Sequence, residues 1–392
     1  MKKISILGST GKIGEVSLKI IERKKKYYSV YVLSGYKNYK KIIYQIKKYK
    51  PKIFIIFDLN TYEKVKMKLK STNVIILNKH NYLNYKIKNS NIIITAIPGI
   101  DGLKPTLDFI KKSQKLLIAN KESIICGWNL IKKESRKYKV KIIPIDSEHF
   151  SIMQILKNIK KNDIEKIFIT ASGGPFLKFN KKQIAQATPS QAIKHPKWKM
   201  GKKISIDSAT LMNKIFEVVE ASKLFSISLN KIEILIHPQS LVHAIIKYKN
   251  GLSTLLYFEP DMTIPICNAI SGQGLDIKDY LNAKTKKNNF IIKQKLEFFK
   301  VDKNKFPAIK LKPILNKFNS LPIVVNAGNE IFVDQFLKKK ISFYSIIYNL
   351  FKLLKDPKIR KYAIKKPTNL KTIFVIDEWT RNKAMDILKK KK

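Results

Sequence analysis

The chain has 392 residues, of which 44% are hydrophobic, and a formal net charge of +51. This length predicts two or three domains, and the hydrophobic fraction excludes a wholly disordered protein. Nucleic-acid-binding proteins usually concentrate their positive charge on one face or tail. Here lysines recur along the whole chain, as in 24–26, 181–182 and 338–340. We therefore expect a solvated basic surface and no specific nucleic-acid partner.

Three features of the sequence bear on the compartment. Residues 1–3 lead directly into an apolar run, without the pattern of a signal or transit peptide. No apolar stretch approaches the roughly 18 residues that cross a bilayer. Cys126 and Cys267 lie far apart and form no ligand motif, which predicts reduced thiols. We expect a cytoplasmic protein with no membrane partner.

Short apolar runs alternate with amphipathic segments through the first part of the chain. Continuous apolar strands separated by helices are typical of a doubly wound parallel sheet. The predicted strands are 4–7, 30–33, 53–57, 74–77, 92–95, 116–119 and 141–145.

A second α/β region follows, and the pattern then becomes helical. Strands are predicted at 166–170, 232–236, 244–248 and 253–258, and helices at 309–318, 323–338, 343–354 and 376–388. The predicted fold class is therefore α/β, with a C-terminal helical bundle. The predicted domains are a Rossmann-like nucleotide-binding domain (1–146), a central α/β domain (147–271), a linker (272–297) and a helical domain (298–392).

Three glycines, Gly8, Gly11 and Gly14, stand between the first strand and the following helix. Glycines at this position let backbone amides approach a pyrophosphate at the helix N-terminus. The alternative is a tight turn without a ligand. The end of the second strand carries no acidic residue but offers Lys37 and Asn38. These side chains suit a 2′-phosphate, so the sequence favours NADP over NAD.

Three carboxylates are spaced as metal ligands. Asp146 and Glu148 lie two residues apart at the end of an extended run, so both can point the same way. Glu217 is predicted on a helix, where Asn213 and Lys214 share its face. Carboxylates without clustered cysteine or histidine favour Mg²⁺ or Mn²⁺ over Zn²⁺. The alternative is a capped helix with surface ion pairs.

Candidate anion sites accompany the carboxylates. Residues 172–174 (Ser-Gly-Gly) follow a strand and Ser208 precedes a helix, so hydroxyls and backbone amides are available to a phosphate. For Ser208 a plain helix cap is the alternative. Segment 195–201 contains proline and glycine, and we interpret it as a mobile lid. The alternative is a surface loop with Trp198 tucked into the core.

Nine motifs, in order along nearly the whole chain, resemble the 1-deoxy-D-xylulose-5-phosphate reductoisomerases of the non-mevalonate isoprenoid pathway. They are GSTGKIG (8–14), ANKES (119–123), DSEH (146–149), SGGPF (172–176), HPKWKMG (195–201), DSATLMNKIFEVVEA (207–221), HPQS (237–240), EPDM (259–262) and NAGNE (326–330). The resemblance implies a homodimeric, NADPH- and metal-dependent enzyme, whose central domain (147–271) is catalytic, binds the metal and joins the two subunits. Such an enzyme rearranges and reduces 1-deoxy-D-xylulose 5-phosphate to 2-C-methyl-D-erythritol 4-phosphate.

The resemblance also implies a role for each matching residue. The metal, Mg²⁺ or Mn²⁺ with Co²⁺ as a substitute, would be bound by Asp146, Glu148 and Glu217. The catalytic residues would be Lys121, Glu148, His195 and Lys214. The sugar phosphate would be bound by Ser147, Glu148, Ser172, His195, Trp198, Met200, Ser208, Asn213, Lys214, Glu217, Pro260 and Met262. NADPH would be bound by Gly8, Ser9, Thr10, Gly11, Ile13, Gly14, Lys37, Asn38, Ala96, Asn120, Lys121, Glu122 and Gly201.

Two alternative functions remain open at this point. One is another NADP-dependent Rossmann oxidoreductase acting on a phosphorylated small substrate. A semialdehyde dehydrogenase of that kind needs a nucleophilic cysteine beside a histidine, and Cys126 lies in an apolar run that predicts a buried, inert thiol. The other alternative is a non-enzymatic polyanion-binding or scaffold protein, which the intact set of carboxylates disfavours.

Overall fold

The computed structural model describes residues 1–198, 200–272, 276–277, 280–281, 295–317, 320–363 and 367–389. The chain divides into two compact units. The first comprises Met1–Ser123, Leu130–Phe150 and Asp261–Asn288, and the second comprises Ile124–Asn129, Ser151–Pro260 and Asn289–Lys392. Most of the predicted linker, 272–297, falls outside the described residues. The predicted domain borders remain predictions.

A parallel seven-stranded sheet forms the centre of the first unit. Each of the seven predicted apolar runs belongs to one of its strands, which confirms the predicted α/β class. The strands are β1 (Lys2–Leu7), β2 (Tyr28–Gly35), β3 (Ile53–Ile56), β4 (Ile75–Asn78), β5 (Ser90–Thr95), β6 (Ser113–Ile118) and β7 (Lys141–Pro144). Their order is β4-β3-β2-β1-β5-β6-β7, so the direction of winding reverses at β1. Ligands of such sheets bind beyond the carboxyl ends of the strands at this reversal.

Two helices of the first unit, Tyr39–Tyr49 and Leu59–Lys68, begin at polar side-chain caps. Asn38 accepts a hydrogen bond from the backbone N–H of Lys41, and Asp58 accepts one from that of Thr61. Such caps satisfy backbone donors that the first helical turn leaves without partners. Helices that lie wholly in this unit are Lys12–Arg23, Tyr39–Tyr49, Leu59–Lys68, Leu103–Ile110 and Thr263–Ser271. Helices Lys121–Lys137, with a non-helical Gly127, and Ser147–Ile155 contain residues of both units.

The second unit contains a mixed five-stranded sheet. Its strands are β8 (Ile164–Ala171), β9 (Ile232–Ile236), β10 (Val242–Tyr248), β11 (Ser253–Tyr257) and β12 (Phe299–Lys300), in the order β11-β10-β8-β9-β12. Strands β8 and β9 are parallel, and the other pairs are antiparallel. β10 and β11, both predicted as strands, pair with each other in the structure. β11 is an edge strand, and its Leu255 is 42% exposed.

Helices make up the rest of the second unit. Before β9 lie Lys181–Ala185, Pro189–Ala192, Lys202–Ala209 and Met212–Phe225; after β12 lie Lys312–Leu315, Leu321–Leu337, Phe343–Leu354, Ile359–Ala363 and Leu370–Lys389. The Phe343 ring packs edge-on against Phe176, with centroids 5.0 Å apart, and against Phe336 at 5.7 Å. These aromatic contacts join the C-terminal helices to the segment that follows β8. Within the described part of the chain, no helix combines the length and apolar character needed to cross a membrane.

Candidate active site

The glycine loop 8–14 follows β1 at the reversal of strand order. Gly8 has φ +89°, and a Cβ there would lie 2.7 Å from the carbonyl carbon of Ala96. A Cβ on Gly14 would lie 2.5 Å from the Cα of Ser9. Both distances are shorter than real Cβ contacts, so this turn accepts only glycine at the two positions. Gly11 is the N-cap of the following helix and leaves backbone amides available to an anion.

Polar contacts hold this loop against β2. Gly8 donates a 2.9 Å hydrogen bond to Ser34 Oγ. The buried Ser9 Oγ lies 2.9 Å from the carbonyl oxygen of Ser34 and 2.7 Å from Gln45 Oε1. The Ser9 side chain therefore stabilises the loop from inside. Gln45 also donates to the Ser9 carbonyl oxygen at 2.9 Å, and sequence reasoning did not identify this support.

Lys37 and Asn38 are exposed directly after β2. The Lys37 ammonium lies 5.3 Å from the centroid of the Tyr36 ring. The Asn38 side chain caps the next helix, and its Oδ1 accepts from Lys41 N at 3.2 Å. Thr10 and Ile13 are half-buried. The end of β2 thus presents an exposed cation without an acidic neighbour in sequence, as a 2′-phosphate site requires.

Asn120 joins two loops of the first unit. Its Oδ1 accepts from Ser123 N at the start of helix Lys121–Lys137, and its amide nitrogen donates to the carbonyl oxygens of Ile97 and Gly99. Asn120 is 3% exposed, so these bonds are protected from water. They fix the segment that begins at Ala96 relative to Lys121 and Glu122, which follow Asn120 in the first helical turn.

Asp146 is the carboxylate at the end of β7 and contacts two basic side chains. Lys121 Nζ lies 2.8 Å from Oδ2, and His149 Nδ1 lies 3.1 Å from Oδ1. Burial raises the pKa of Asp146, but the Lys121 ammonium and His149 outweigh it and hold the pKa well below its usual range. Asp146 is therefore ionised at neutral pH, as a metal ligand must be. Ser147 Oγ donates to the neighbouring Glu148 carboxylate, which is 9% exposed.

His149 was not predicted as a functional residue. It is completely buried and one helical turn after Asp146. The spacing of three residues was the available signal, because side chains three apart on a helix lie side by side. His149 positions the Asp146 carboxylate.

Glu217 lies on helix Met212–Phe225 in the second unit and is 1% exposed. Lys214 Nζ lies 2.7 Å from its Oε2, and Asn213 Nδ2 donates to its Oε1. The predicted face with an amide, an ammonium and a carboxylate is therefore present. A buried carboxylate requires such partners, because an unpaired buried charge is strongly destabilising.

Ser172 contacts His195 in the second unit, and the turn that begins at Ser172 approaches the backbone of Ser208. Ser172 Oγ lies 3.0 Å from His195 Nε2 and accepts a 3.2 Å hydrogen bond from Gly174 N. Gly174 has φ +65°, and a Cβ there would lie 3.0 Å from the carbonyl oxygen of Ser208. A turn through Leu211, with φ +61°, then joins the helix of Ser208 to the helix of Asn213. The Ser172 hydroxyl and the glycine-rich turn after it are groups of the kind that bind a phosphate.

The remaining predicted substrate residues are half-buried. The Trp198 ring centroid lies 6.5 Å from that of His243, and Met200 precedes Gly201, the N-cap of helix Lys202–Ala209. Lys199 falls outside the described residues. Pro260 belongs to the second unit and Met262 to the first. The lid remains a prediction.

Sequence reasoning also missed the buried pair of Asn329 and Asp207, of which Asp207 directly precedes Ser208 in the chain. Asn329 Nδ2 donates a 2.7 Å hydrogen bond to Asp207 Oδ1, and Lys203 Nζ lies 2.9 Å from Oδ2. Asp207 is 1% exposed and Asn329 is fully buried. Both residues belong to motifs that carry the resemblance, which was the only signal, because 122 residues separate them.

Comparison with known proteins identifies the same family that the sequence motifs resemble. Models of the family match residues 4–127 (1-deoxy-D-xylulose 5-phosphate reductoisomerase), 142–225 (its C-terminal domain) and 258–383 (DXP reductoisomerase C-terminal domain). The reductoisomerase of Pelagibacter ubique is 46% identical over 388 residues, which is 97% of each chain. The chain belongs to the 1-deoxy-D-xylulose 5-phosphate reductoisomerase family. The Wolbachia pipientis wMel enzyme is 42% identical over 88% of each chain.

Solved structures of this reductoisomerase family share the fold over nearly the whole chain. A DOX-P reductoisomerase in complex with NADPH, fosmidomycin and magnesium has a TM-score of 0.88 and 30% identity, covering 99% of this chain and 98% of its own. The Zymomonas mobilis reductoisomerase in complex with NADPH has a TM-score of 0.84 and 33% identity, covering 99% of both chains. The predicted family and oxidoreductase class are thereby confirmed. NADPH and magnesium, the two predicted cofactors, are present together in the first of these relatives. The homodimer remains a prediction.

Proposed function

We propose that this chain catalyses the NADPH-dependent rearrangement and reduction of 1-deoxy-D-xylulose 5-phosphate to 2-C-methyl-D-erythritol 4-phosphate, a reaction that requires Mg²⁺ or Mn²⁺. The observation that carries this proposal is the full-length likeness to the Pelagibacter ubique reductoisomerase. Each residue expected to contact metal or phosphate is also present and chemically suited to that role. The same likeness favours this function over that of a different NADP-dependent Rossmann oxidoreductase.

The metal would be held by Asp146, Glu148 and Glu217. All three side chains are largely buried, and each offers carboxylate oxygens to a cation. Carboxylate oxygens without thiolate or imidazole ligands suit a hard cation. Lys121 pairs with Asp146, and Lys214 pairs with Glu217. These two ammonium groups balance part of the negative charge of the carboxylates when no metal is bound. The bound cation would stabilise developing oxyanion charge and orient the ketone and adjacent hydroxyl oxygens.

The substrate phosphate would be held by Ser172, Ser208 and Asn213, with Lys214 adding positive charge. The 172–174 turn supports this role, because Gly174 N lies beside the Ser172 hydroxyl and a Cβ on Gly174 would lie 3.0 Å from the Ser208 carbonyl oxygen. The phosphate is remote from the reacting carbons, so its binding energy can be used for closure and orientation. Trp198 and Met200 would then exclude water while the aldehyde intermediate waits for hydride.

NADPH would lie across the carboxyl ends of β1 and β2. The N–H groups of the glycine loop suit the pyrophosphate, and the exposed Lys37 and Asn38 suit the 2′-phosphate. NADPH would supply the hydride for the reduction. The fixed loop at Asn120 supports a preformed site, because its hydrogen bonds are buried.

We also propose that the protein forms a homodimer through its second unit. In the described part of the sheet β11 is an edge strand that pairs with β10, and Leu252 and Leu255 are 66% and 42% exposed. Such edges readily pair with another chain. Light scattering after size exclusion should give twice the mass of the chain, and a Leu255→Lys variant should shift the protein towards monomer. A native protein that runs only as a monomer would contradict the dimer.

The proposed reaction is tested by following NADPH absorbance with 1-deoxy-D-xylulose 5-phosphate and Mg²⁺ or Mn²⁺. We expect decay that EDTA abolishes and that Glu217→Gln reduces by at least about a hundredfold. Glu165→Gln is the matched control, because Glu165 is a half-exposed residue paired with Lys247 on the surface. Folded protein that binds NADPH but gives no decay with either metal would overturn the proposal.

A further inference from the structure

A cavity of about 890 Å³ lies in the first unit, where strands β1 to β4 begin. All strands of a parallel sheet begin at the same edge, and the glycine loop follows the opposite, carboxyl end of β1. The cavity is therefore separate from the nucleotide loop. Its volume falls within the roughly 300–1,000 Å³ that is typical of small-molecule sites.

The rim of this cavity is strongly basic. Six exposed lysines line it: Lys3, Lys47, Lys50, Lys52, Lys86 and Lys88. The described residues of the lining include no aspartate or glutamate. Like charges around one space repel one another, and a multiply charged anion between them would replace that repulsion with attraction.

The helix dipole explains only part of this cluster. Lysines at the carboxyl end of a helix often only complement its dipole, and this account covers Lys47 and Lys50, at the end of helix Tyr39–Tyr49. It does not cover Lys3, which lies in β1, or Lys88, which precedes β5. The tertiary structure thus brings lysines from separate segments to one cavity.

Lys50 occupies a backbone conformation that lysine disfavours. Its φ of 43° and ψ of 55° are left-handed, and it ends helix Tyr39–Tyr49. Glycine or asparagine usually occupies such a position, because a Cβ crowds the following carbonyl there. A residue kept against its backbone preference points to a role for its side chain, and the side chain of Lys50 lines the cavity.

Tyr31 anchors two of the lysines to the wall of the cavity. Lys3 Nζ lies 5.3 Å from the centroid of the Tyr31 ring, and Tyr31 Oη accepts a 2.9 Å hydrogen bond from the backbone N–H of Lys88. Tyr31 is 8% exposed, so its ring is a fixed part of the wall. These two lysines are therefore tied to one ring before any ligand binds, which lowers the entropy cost of binding.

The rest of the lining adds hydroxyl groups and an apolar floor. Ser71 and Thr72 line the cavity before β4. Thr72 Oγ1 accepts a 3.3 Å hydrogen bond from Val74 N, so its own proton is available to an acceptor. Ile53 and Val74 also line the cavity and are 1% and 9% exposed. A ligand here would therefore meet ammonium and hydroxyl donors above apolar side chains.

We propose that this cavity binds a polyphosphate anion, either an inorganic polyphosphate or the phosphate chain of a nucleotide. Linked phosphates carry several negative charges in a small volume, and they match several ammonium groups better than one phosphate does. Lysine binds phosphate as a point charge, and hydroxyls donate to its oxygens. The inference is independent of the proposed function, because the residues of the cavity contribute to neither the metal site nor the substrate and NADPH sites.

Calorimetric titration of the full-length protein tests the proposal. The probes are tripolyphosphate, ATP and orthophosphate, without divalent metal and at about 150 mM salt, which weakens dispersed adhesion to a basic surface. We expect tripolyphosphate or ATP to bind at least about tenfold more tightly than orthophosphate. Tighter binding of ATP than of tripolyphosphate identifies a nucleotide, and the reverse order identifies an inorganic polyphosphate. A native protein that binds neither would overturn the proposal.

A triple variant locates the binding. Lys50→Gln, Lys52→Gln and Lys88→Gln together should weaken the binding of the tighter polyphosphate at least about tenfold, since each exposed charge pair is worth about twofold to fivefold. Unchanged affinity would overturn the proposal, because an anion bound at the glycine loop would not respond to these lysines.

A matched control measures the background from a chain with a net charge of +51. Lys161→Gln, Lys182→Gln and Lys310→Gln remove three exposed lysines of the second unit, and we expect affinity within about threefold of the native protein. Equal losses in the two triple variants would show adhesion to the whole basic surface and would overturn the proposal.

Lys50→Gly separates binding from stability. Glycine accepts the left-handed backbone, so we expect the variant to melt no lower than the native protein without anion. Its polyphosphate affinity should nevertheless fall about threefold, because one ammonium group is lost. A variant that melts no lower and binds polyphosphate as tightly as the native protein would contradict the role of Lys50 in the cavity.

Discussion

The Lys121 ammonium lies 2.8 Å from the Asp146 carboxylate, and both side chains are largely buried. Lys121 begins a helix, and Asp146 follows the last strand of the parallel sheet. This ion pair keeps Asp146 ionised although burial alone would favour its neutral form. A carboxylate that is already ionised can bind a cation without first losing a proton.

Asp146→Asn should therefore abolish metal-dependent turnover. An amide cannot supply the negative charge, and Lys121 loses its partner. We expect at least about a hundredfold loss of kcat/KM and a higher Mg²⁺ concentration for half-maximal rate, measured by NADPH absorbance in a Mg²⁺ titration. Asp163→Asn, at an exposed residue, is the control. Turnover within threefold of the native protein would remove Asp146 from the metal site.

Lys37→Ala should weaken the preference for NADPH over NADH. The exposed ammonium at the end of β2 is expected to pair with the 2′-phosphate, and one such charged contact corresponds to about tenfold in affinity. Fluorescence titration should show weaker binding of NADPH and unchanged binding of NADH. Lys40→Ala, at another exposed lysine nearby, should leave both affinities as they are. Equal weakening of both nucleotides would point to damage to the loop instead.

Gly14→Ala should destabilise the nucleotide-binding loop. A Cβ at Gly14 would meet the backbone of Ser9 at 2.5 Å, whereas at Gly11 its nearest neighbour is the Gly8 carbonyl oxygen at 3.4 Å. We expect Gly14→Ala to cost about 1–3 kcal/mol of unfolding free energy, as overpacking does, and Gly11→Ala to cost much less. Urea denaturation measures both. Similar stability of the two variants would show that the backbone near Ser9 can move aside.

The stability of the protein should fall as the pH drops below about 6.5. Burial lowers the pKa of His195 to about 4, and burial also lowers that of His237. The unfolded chain then binds more protons than the folded chain between the ordinary histidine pKa of 6.5 and the folded value near 4. Stability is thus complete above about 6.5 and is lost progressively towards pH 4.

Urea denaturation at pH 7.5, 6.5 and 5.5 tests this dependence, because most carboxylates stay ionised over that range. His195→Asn should flatten the decline, since the variant lacks one titrating ring. His80→Asn, at an exposed histidine, should leave the slope unchanged. A native protein with constant stability from pH 7.5 to 5.5 would contradict the buried neutral histidines.

Asn329→Ala should weaken both the fold and the phosphate site. Asp207 would lose a buried hydrogen bond to a charged oxygen, a contact worth about 1.5–3 kcal/mol, and Ser208 is its neighbour in the chain. We expect lower unfolding free energy together with a raised KM for the sugar phosphate. Asn230→Ala, at an exposed asparagine, is the control. A stable variant with unchanged KM would show that the ion pair with Lys203 is enough to stabilise the buried Asp207 carboxylate.

Local sequence patterns predicted most of the sheet because buried parallel strands are continuous apolar runs. Element ends were less accurate: β6 begins at Ser113 rather than at 116, and the last helix begins at Leu370 rather than at 376. The last helix begins where the Asn369 side chain accepts a hydrogen bond from the backbone N–H of Thr372. This cap is a polar signal that the apolar periodicity does not contain.

The site was predictable where its residues are close in sequence. Spacing alone placed Asn213, Lys214 and Glu217 on one helical face, since i, i+3 and i+4 neighbours meet there. Contacts across the fold left no such pattern. Ser9 and Gln45 are 36 residues apart, and only the tertiary structure brings them together.

The bond from Asn329 to Asp207 limits how far this enzyme can be shortened. Asn329 lies on helix Leu321–Leu337, and Asp207 lies on the helix that carries Ser208. A truncated protein that ends before Leu321 would leave the Asp207 carboxylate with Lys203 and without its amide partner. The C-terminal helices therefore support the helix that carries Ser208 from inside the protein, and we expect that a minimal version of the enzyme has to retain them.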